Sequence, residues 1–257
     1  MPLLAVDDLA IAFGGLTALS GVSVAVDAGE IVAVIGPNGA GKTTVFNVLS
    51  GLYPPSAGRV TFDGADLTRL APHEIARRGI GRTFQNTEVF RALTALDNVL
   101  VGEHARLRSG MLAAACGLPG VRHEEAAARE RARALLERVG LADVIDVEAG
   151  SLPLGRQKRL EMARALAARP RLLLLDEPAG GLNPTETRAL MDLICRLREE
   201  LSLTIMVVEH DMHLVMSISD RVVVLHYGRK IAEGPPRAVA DDPAVIEAYL
   251  GSSEARA

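Results

Sequence analysis

Four short, unbroken apolar runs set the rhythm of the chain: "IVAVI" at 31–35, "RLLLLD" at 171–176, "LTIMVVEH" at 203–210 and "DRVVVLHYG" at 220–228. Runs without polar alternation mark strands buried on both faces. Helical patterns separate them, which predicts a mostly parallel sheet covered on both sides. The opening reads differently. "LLAVDDLAIAF", "GVSVAVDAGE" and "GRVTFDG" are short strands joined by turns, expected to pair as an antiparallel unit.

Between residues 86 and 168 the pattern turns helical, rich in Ala, Arg, Glu and Leu. In "EEAAARERARALLERVG", Ala128, Ala132, Leu135, Leu136 and Val139 form one apolar stripe, and Glu125 and Arg129 have helix-pairing spacing. We expect one domain over 3–251: a core from 3–85 and 169–235, an inserted helical subdomain at 86–168, and a tail at 236–257. The uncharged run "LAIAFGGLTALSGVSVAV" at 9–26 reaches the length of a membrane span. Gly14-Gly15 and Ser20-Gly21 break it, and Val22, Val24 and Val26 alternate as in a strand, so a hairpin is expected instead. No Lys or Arg precedes Lys42, which disfavours a secretory leader.

Composition narrows the classes. A chain of 257 residues buries about three quarters of its unfolded surface and needs no staples. Hydrophobic residues make up 49% and charged residues 23%, as in soluble globular proteins. A net charge of −4 and a pI near 5.9 argue against a nucleic-acid binder. Cys116 and Cys195 are far apart and match no metal spacing; Cys195, in "LMDLICRL", reads as a small core hydrophobe.

The chemistry begins after the first buried run. "GPNGAGKT", comprising Gly36, Pro37, Asn38, Gly39, Ala40, Gly41, Lys42 and Thr43, is a complete P-loop between a strand and a helix. Its glycines let the backbone approach phosphates, and its N–H groups and helix tip meet their charge. Lys42 supplies a point charge, and the Thr43 hydroxyl suits Mg²⁺. The expected fold is α/β with an antiparallel β subdomain and an inserted α-helical subdomain, and its core resembles that of P-loop NTPases (RecA-like). In "LLLLDEP", Asp176 ends a buried strand where it can hold Mg²⁺ through water, and Glu177 can activate a water. By residue type alone, His210 fits a strand terminus as well as a reacting group, and Gln85 is one amide in a polar turn. Stacking on adenine is one of several jobs open to Phe13. "SLPLGRQKRLEMARAL" at 151–166 has the look of a second, poorer anion-facing helix start.

Taken in order, Phe13, the P-loop, Gln85, "LPLGRQKR", "LLLLDEP", "AGGLN" and His210 resemble the ATP-binding subunits of ABC transporters. The resemblance implies adenine stacking by Phe13 and phosphate binding by Gly36–Thr44, so Thr44 joins the nucleotide set. It implies Mg²⁺ ligation by Thr43 and Gln85, with Asp176 helping through water. Glu177 becomes the catalytic acid, and His210 senses the γ-phosphate. It also gives the second helix start a meaning: Leu152, Pro153, Leu154, Gly155 and Arg156 stand at the signature, which serves the ATP held by another subunit. Gly180, Gly181, Leu182 and Asn183 stand at the loop where two such subunits meet.

The signature departs from the family's Leu-Ser-Gly-Gly-Gln. Pro153 replaces the serine, Leu154 a glycine and Arg156 the glutamine, so a hydroxyl donor is lost while the Gly155 amide remains. Pro153 is expected in the first helical turn. The stretches "FGGLTAL", "RTFQNTEVFRALTALDNVLVGEH", "DEPAGGLNPTET" and "DPAVIEAYLG" are similar to the larger, LivG-type ATPase of branched-chain amino-acid importers, over residues 3–251. That resemblance implies ATP and Mg²⁺ as cofactors and integral-membrane permeases and a second ATPase subunit as partners. It adds a solute-binding protein engaged indirectly and a peripheral place on the cytoplasmic face of the bacterial inner membrane. Phe90, Leu93 and Leu96 are candidates for the permease contact, with a core-packing helix start as the alternative. The apolar run at 110–121 is too short to span a bilayer. Other cargoes such as urea or amides, a non-transport ABC ATPase, and a non-hydrolysing ATP module are the rival readings.

Overall fold

The computed structural model describes residues 1–85, 87–104 and 119–254. Cys116 and residues 110–118 of the apolar run lie outside that range.

The chain opens with a hairpin of β1 (Leu4–Phe13) and β2 (Leu16–Val26), turned at Gly14-Gly15. β3 (Ile31–Ile35) runs into the P-loop and then α1 (Lys42–Leu49). β4 (Ala57–Phe62) and β5 (Ala65–Asp66) follow, then α2 (Pro72–Arg78) and β6 (Ile80–Arg82). Helices come next: α3 (Ala95–Glu103), α4 (Pro119–Arg138) and α5 (Leu154–Ala167). The chain then alternates through β7 (Leu172–Asp176), α6 (Pro184–Leu201), β8 (Thr204–Val208), α7 (Met212–Ile218) and β9 (Arg221–His226). It ends with β10 (Arg229–Gly234), α8 (Pro236–Ala240) and α9 (Pro243–Glu254).

The strands form two sheets. A four-stranded antiparallel sheet has the order β2-β1-β4-β5, and a six-stranded sheet has the order β10-β9-β3-β8-β7-β6. In the larger sheet every pairing is parallel except that of the edge strand β10 with β9. The unbroken apolar runs are explained by its two faces. Ile31, Ala33 and Ile35 of β3 enter one hydrophobic core with Leu173, Leu175, Val207 and the helices. Val32 and Val34 enter another with Leu172, Leu174 and the antiparallel sheet's Leu4, Leu9, Val60 and Phe62. Each fully buried aliphatic side chain contributes roughly 1.5–3 kcal/mol.

The stripe read in α4 points inward: Ala128, Ala132, Leu136 and Val139 are buried, and Leu135 packs against the same core. The uncharged run at 9–26 is the β1–β2 hairpin, and no helix among the described residues is long and apolar enough to cross a membrane. Cys195 packs partly buried against the core as a free thiol. Strand order decides the site. β3 lies between β9 and β8, with β7 next, so the P-loop, the turn after β8 and the end of β7 meet at the carboxyl edge of the sheet, where ligands bind in open α/β folds.

Candidate functional site

The P-loop leaves β3 under tight constraint. Gly36 has φ 147, and a Cβ there would lie 2.0 Å from the Leu225 carbonyl oxygen. Gly41, at φ 103, caps α1 and has no room for a side chain between Leu19 and Ala18. Neighbouring turns brace the loop: the Gly228 amide donates to Ala40 O at 3.0 Å, and the Ser20 amide donates to Gly228 O at 2.8 Å. Lys42 is 7% exposed, and its Nζ donates to Gly36 O at 2.7 Å and Pro37 O at 3.0 Å. Burial pulls the Lys42 pKa down, against the carboxylates of Glu177 and Asp176. The resulting cleft has a volume of about 420 Å³ and is lined by Leu16–Ala18, Asn38–Thr44, Gln85, Glu177, Tyr227 and Gly228.

Asp176 ends β7 with 1% exposure. Its Oδ2 pairs with Arg82 at 3.0 Å, while its buried Oδ1 has no hydrogen-bond partner among the described residues. Burial pushes this carboxyl up, with Arg82 the main opposing influence. Arg82, which the sequence reading missed, also donates to Asn47 Oδ1 at 2.8 Å and Ser50 Oγ at 2.7 Å and lies over the Phe84 ring. It ties β6, α1 and β7 together behind the cleft. Gln85 and Glu177 meet in the cleft, Gln85 Nε2 donating to Glu177 Oε2 at 2.9 Å.

The remaining candidates are placed unevenly. His210 follows β8 with its side chain 63% exposed, and its amide donates to Glu209 Oε2 at 3.2 Å. Phe13 is outside the cleft lining and meets Tyr53 edge-on at 5.1 Å. Tyr227 lines the cleft instead, at the β9–β10 turn with φ 45. From the tail, Tyr249 reaches the same place: burial pushes its pKa up, with the Gly36 backbone opposing that rise.

The signature residues sit elsewhere. Pro153 is the N-cap of α5, one position earlier than expected, because its ψ of 152 is extended although its carbonyl already accepts from the Gln157 amide at 3.0 Å; the cap has no side-chain bond. Leu152 is buried, Leu154 is exposed, and Arg156 is drawn aside to Asp143 at 2.8 Å. Pro153, Gly155 and Arg156 line a hollow of about 280 Å³ with Leu182 and Glu186, sharing no residue with the P-loop cleft. In the loop after Glu177, the Asn183 side chain turns inward. Its Oδ1 accepts from the Thr185 and Glu186 amides at 3.0 Å each, and Glu186 Oε2 accepts from the Asn183 amide at 3.1 Å, a complete capping box. Asn caps as well as Asp, so at this position the loop keeps its structure without a carboxylate.

Residues 19–180 match a family described as ABC transporter, and residues 229–255 one described as branched-chain amino acid ATP-binding cassette transporter. A high-affinity branched-chain amino acid transport ATP-binding protein, BraF of Pseudomonas aeruginosa, is 48% identical over 98% of this chain and 99% of its own. LivG of Escherichia coli K12, with the same description, is 45% identical over the same shares. A crystal structure of an ATP-binding cassette of an ABC transporter in its ADP conformation has a TM-score of 0.85 at 33% identity, covering 98% of this chain and 99% of that one. A dimeric cassette in a post-hydrolysis state, bound to ADP and Pi, has a TM-score of 0.76 at 28% identity, covering 91% and 99%.

The chain belongs to the ABC transporter family. As an ABC transporter ATP-binding protein it is an ATPase with the P-loop NTPase fold. ABC transporter ATPases work beside membrane permeases, which directs attention to a second surface. A groove of about 650 Å³ runs between α2, residues 88–90 and α5, lined by Leu52, Ile75, Phe84, Val89, Phe90 and Arg164 among others. The three candidate contact residues divide there. Phe90 (47% exposed) and Leu93 (36%) face outward, while Leu96 (3%) belongs to the core. Thr94 explains the split, since it caps α3 by accepting from the Asp97 amide at 3.1 Å and so turns the chain inward.

Proposed function

We propose that this ATPase powers a branched-chain amino-acid importer, coupling ATP binding and hydrolysis to uptake through separate permeases. The cargo rests on the relatives' descriptions and on the match of residues 229–255. Residues 3–251 act as one ATP-binding domain, with 86–168 as the arm that carries the signature and 236–257 as its tail.

The observation that supports the mechanism is the separation of two half-sites. The P-loop cleft includes no signature residue, and the signature hollow includes no P-loop residue. One protomer's Gly36–Thr44 holds the triphosphate, and a second protomer's Leu152–Arg156 covers it, Gly180–Asn183 lying at the contact. The partner is a sister ATPase or a second copy. Phe13, beside the cleft, stacks on the adenine, and Tyr227, which lines the cleft, is the other aromatic side chain available to it. Glu177 takes a proton from the attacking water; Gln85, bonded to Glu177, orients it. His210, exposed at the end of β8, faces the γ-phosphate once the sites close.

The residues fit Mg²⁺. Among the described residues no group of three or more His, Cys, Asp or Glu forms a metal cage, which suits an ion that takes few protein ligands and completes its shell with phosphate and water. The orphaned Asp176 Oδ1 is a buried hard acceptor facing that need, with Thr43 and Gln85 in the cleft. Held by these residues, Mg²⁺ would supply positive charge to offset the charge developing on the phosphates.

The groove at Phe90 receives a cytoplasmic helix of the permease, and the chain works peripherally on the cytoplasmic face of the inner membrane. A solute-binding protein on the far side is engaged only through the permease. The test is reconstitution of the whole complex in proteoliposomes, with ATPase activity and uptake read against binding proteins loaded with leucine, isoleucine or valine, and with urea or amides. Stimulation by the branched-chain set supports the reading; stimulation by urea or amides alone replaces the cargo. Phe90→Asp should abolish co-purification with the permease and leave ATP binding intact.

A further inference from the structure

The carboxylate assigned to catalysis stands on an awkward piece of backbone. Glu177 has φ 47, in the left-handed region where a residue with a Cβ is rarely found. Such a conformation persists only where its surroundings hold it. Three hydrogen bonds do so. The Glu177 amide donates to Val208 O at 2.9 Å, the Gly180 amide donates to Glu177 O at 3.1 Å, and Lys158 Nζ donates to the same carbonyl at 3.3 Å.

Lys158 is the informative partner. It lies in the second turn of the signature helix α5 and is 7% exposed. Burying an ammonium group is unfavourable unless hydrogen bonds and opposite charge offset the lost water. Burial draws its pKa down, opposed by the carboxylates of Glu161, Glu209 and Glu177. Yet its hydrogen bond goes to the peptide carbonyl of the catalytic residue rather than to a carboxylate.

Glu209 fastens the other side. It is 1% exposed; its Oε1 accepts from the Ala179 amide at 2.9 Å and its Oε2 from the His210 amide at 3.2 Å. One buried carboxylate thus joins the peptide just beyond Glu177 to the turn that presents His210. The helix tip packs on the same segment, since a Cβ on Gly181 would stand 3.0 Å from Leu154 Cδ2, and one on Gly155 3.2 Å from Glu186 Oε1.

We propose that Lys158 and Glu209 are positioning residues that lock the Glu177–Ala179 backbone and His210 to the signature helix as one rigid unit. The catalytic carboxylate of one nucleotide site is then set by the helix whose tip serves the other, a consequence that rests on the two-protomer reading.

The test uses the assembled transporter for kcat and KM, and the isolated chain for ATP affinity and thermal melting. Lys158→Met should lower kcat about tenfold to a hundredfold, the scale of a misplaced catalytic group, with KM and ATP affinity within about twofold. Lys158→Arg should recover most of kcat, because a guanidinium can reach the same carbonyl. Glu209→Gln, which sets a donor NH₂ group against one of the two amide N–H groups, should lower kcat without changing KM. The double variant should be no slower than the worse single one, the mark of residues acting as a unit. Wild-type kcat in Lys158→Met, or a loss that Lys158→Arg does not recover and that KM follows, overturns the proposal. Should Lys158→Met fail to fold, Glu209→Gln carries the same expectation, and wild-type kcat there overturns it. Full-speed hydrolysis by a lone monomer removes the two-protomer reading but leaves these kinetic expectations standing, so the two failures are distinguishable.

Discussion

Two helices of this chain begin at tips suited to anions, and they are built to different standards. α1 starts from Gly41 inside a loop that wraps ahead of it, with Lys42 nearly buried and the β9–β10 turn bracing the backbone. α5 starts from Pro153 with no side-chain cap, an exposed Leu154, and Arg156 pulled away to Asp143. A site that must hold a ligand by itself needs backbone on several sides of it. A tip that meets a ligand already held elsewhere needs only exposure and a rigid seat. α5 has that seat in the Lys158, Leu154 and Gly155 contacts with the segment 177–186.

The comparison breaks first at Glu177. Glu177→Gln should slow turnover of the assembled ATPase by about 10²–10⁴-fold while ATP binding by the isolated chain persists. Retained turnover would move the catalytic role elsewhere in the cleft. Behind the same cleft, Arg82→Met leaves the buried Asp176 without its partner, so urea unfolding should show a loss of about 3–5 kcal/mol. A loss near that of a surface pair would mean that Asp176 had found another counter-charge.

At the second tip the expected effects are smaller. Pro153→Ser restores a hydroxyl, and turnover should stay level or rise; a tenfold fall, about 1.4 kcal/mol, would show that the proline is an adaptation rather than a weakening. Smallest is Arg156→Gln, which removes the Asp143 contact. That side-chain hydrogen bond lowers the Asp143 pKa from its ordinary 3.8. A carboxyl depressed in the folded state stabilises above its unfolded pKa, and that contribution disappears as pH falls through the folded value. The melting-temperature difference between wild type and Arg156→Gln should therefore be largest near neutrality and vanish in strong acid. A difference that grew on acidification would contradict the pairing.

Much of the site was legible because it is local. The P-loop is contiguous, and its glycines are demanded by backbone geometry that a few neighbouring residues define. Asp176 and Glu177 end an apolar run, so their place at a strand end follows from the pattern alone. Arg82, Lys158 and Glu209 were not legible. Each is a charged residue whose partner lies far along the chain, and nothing in its own neighbourhood announces that it is buried. Asn183 stands in the loop expected at the subunit contact, and only the structure shows that its side chain caps its own helix. Phe90, Leu93 and Leu96 look alike in sequence; the Thr94 cap separates two outward side chains from one core residue.

By itself the sequence determined the fold class, the phosphate loop and the order of the motifs, because periodicity and turn chemistry act over a few residues. Only the tertiary structure decided which charges are buried together, which strand ends meet, and that one chain's two anion-facing tips line separate hollows. Burial and pairing depend on what the rest of the chain places opposite a side chain, and that is a property of the packed sheet and its helices.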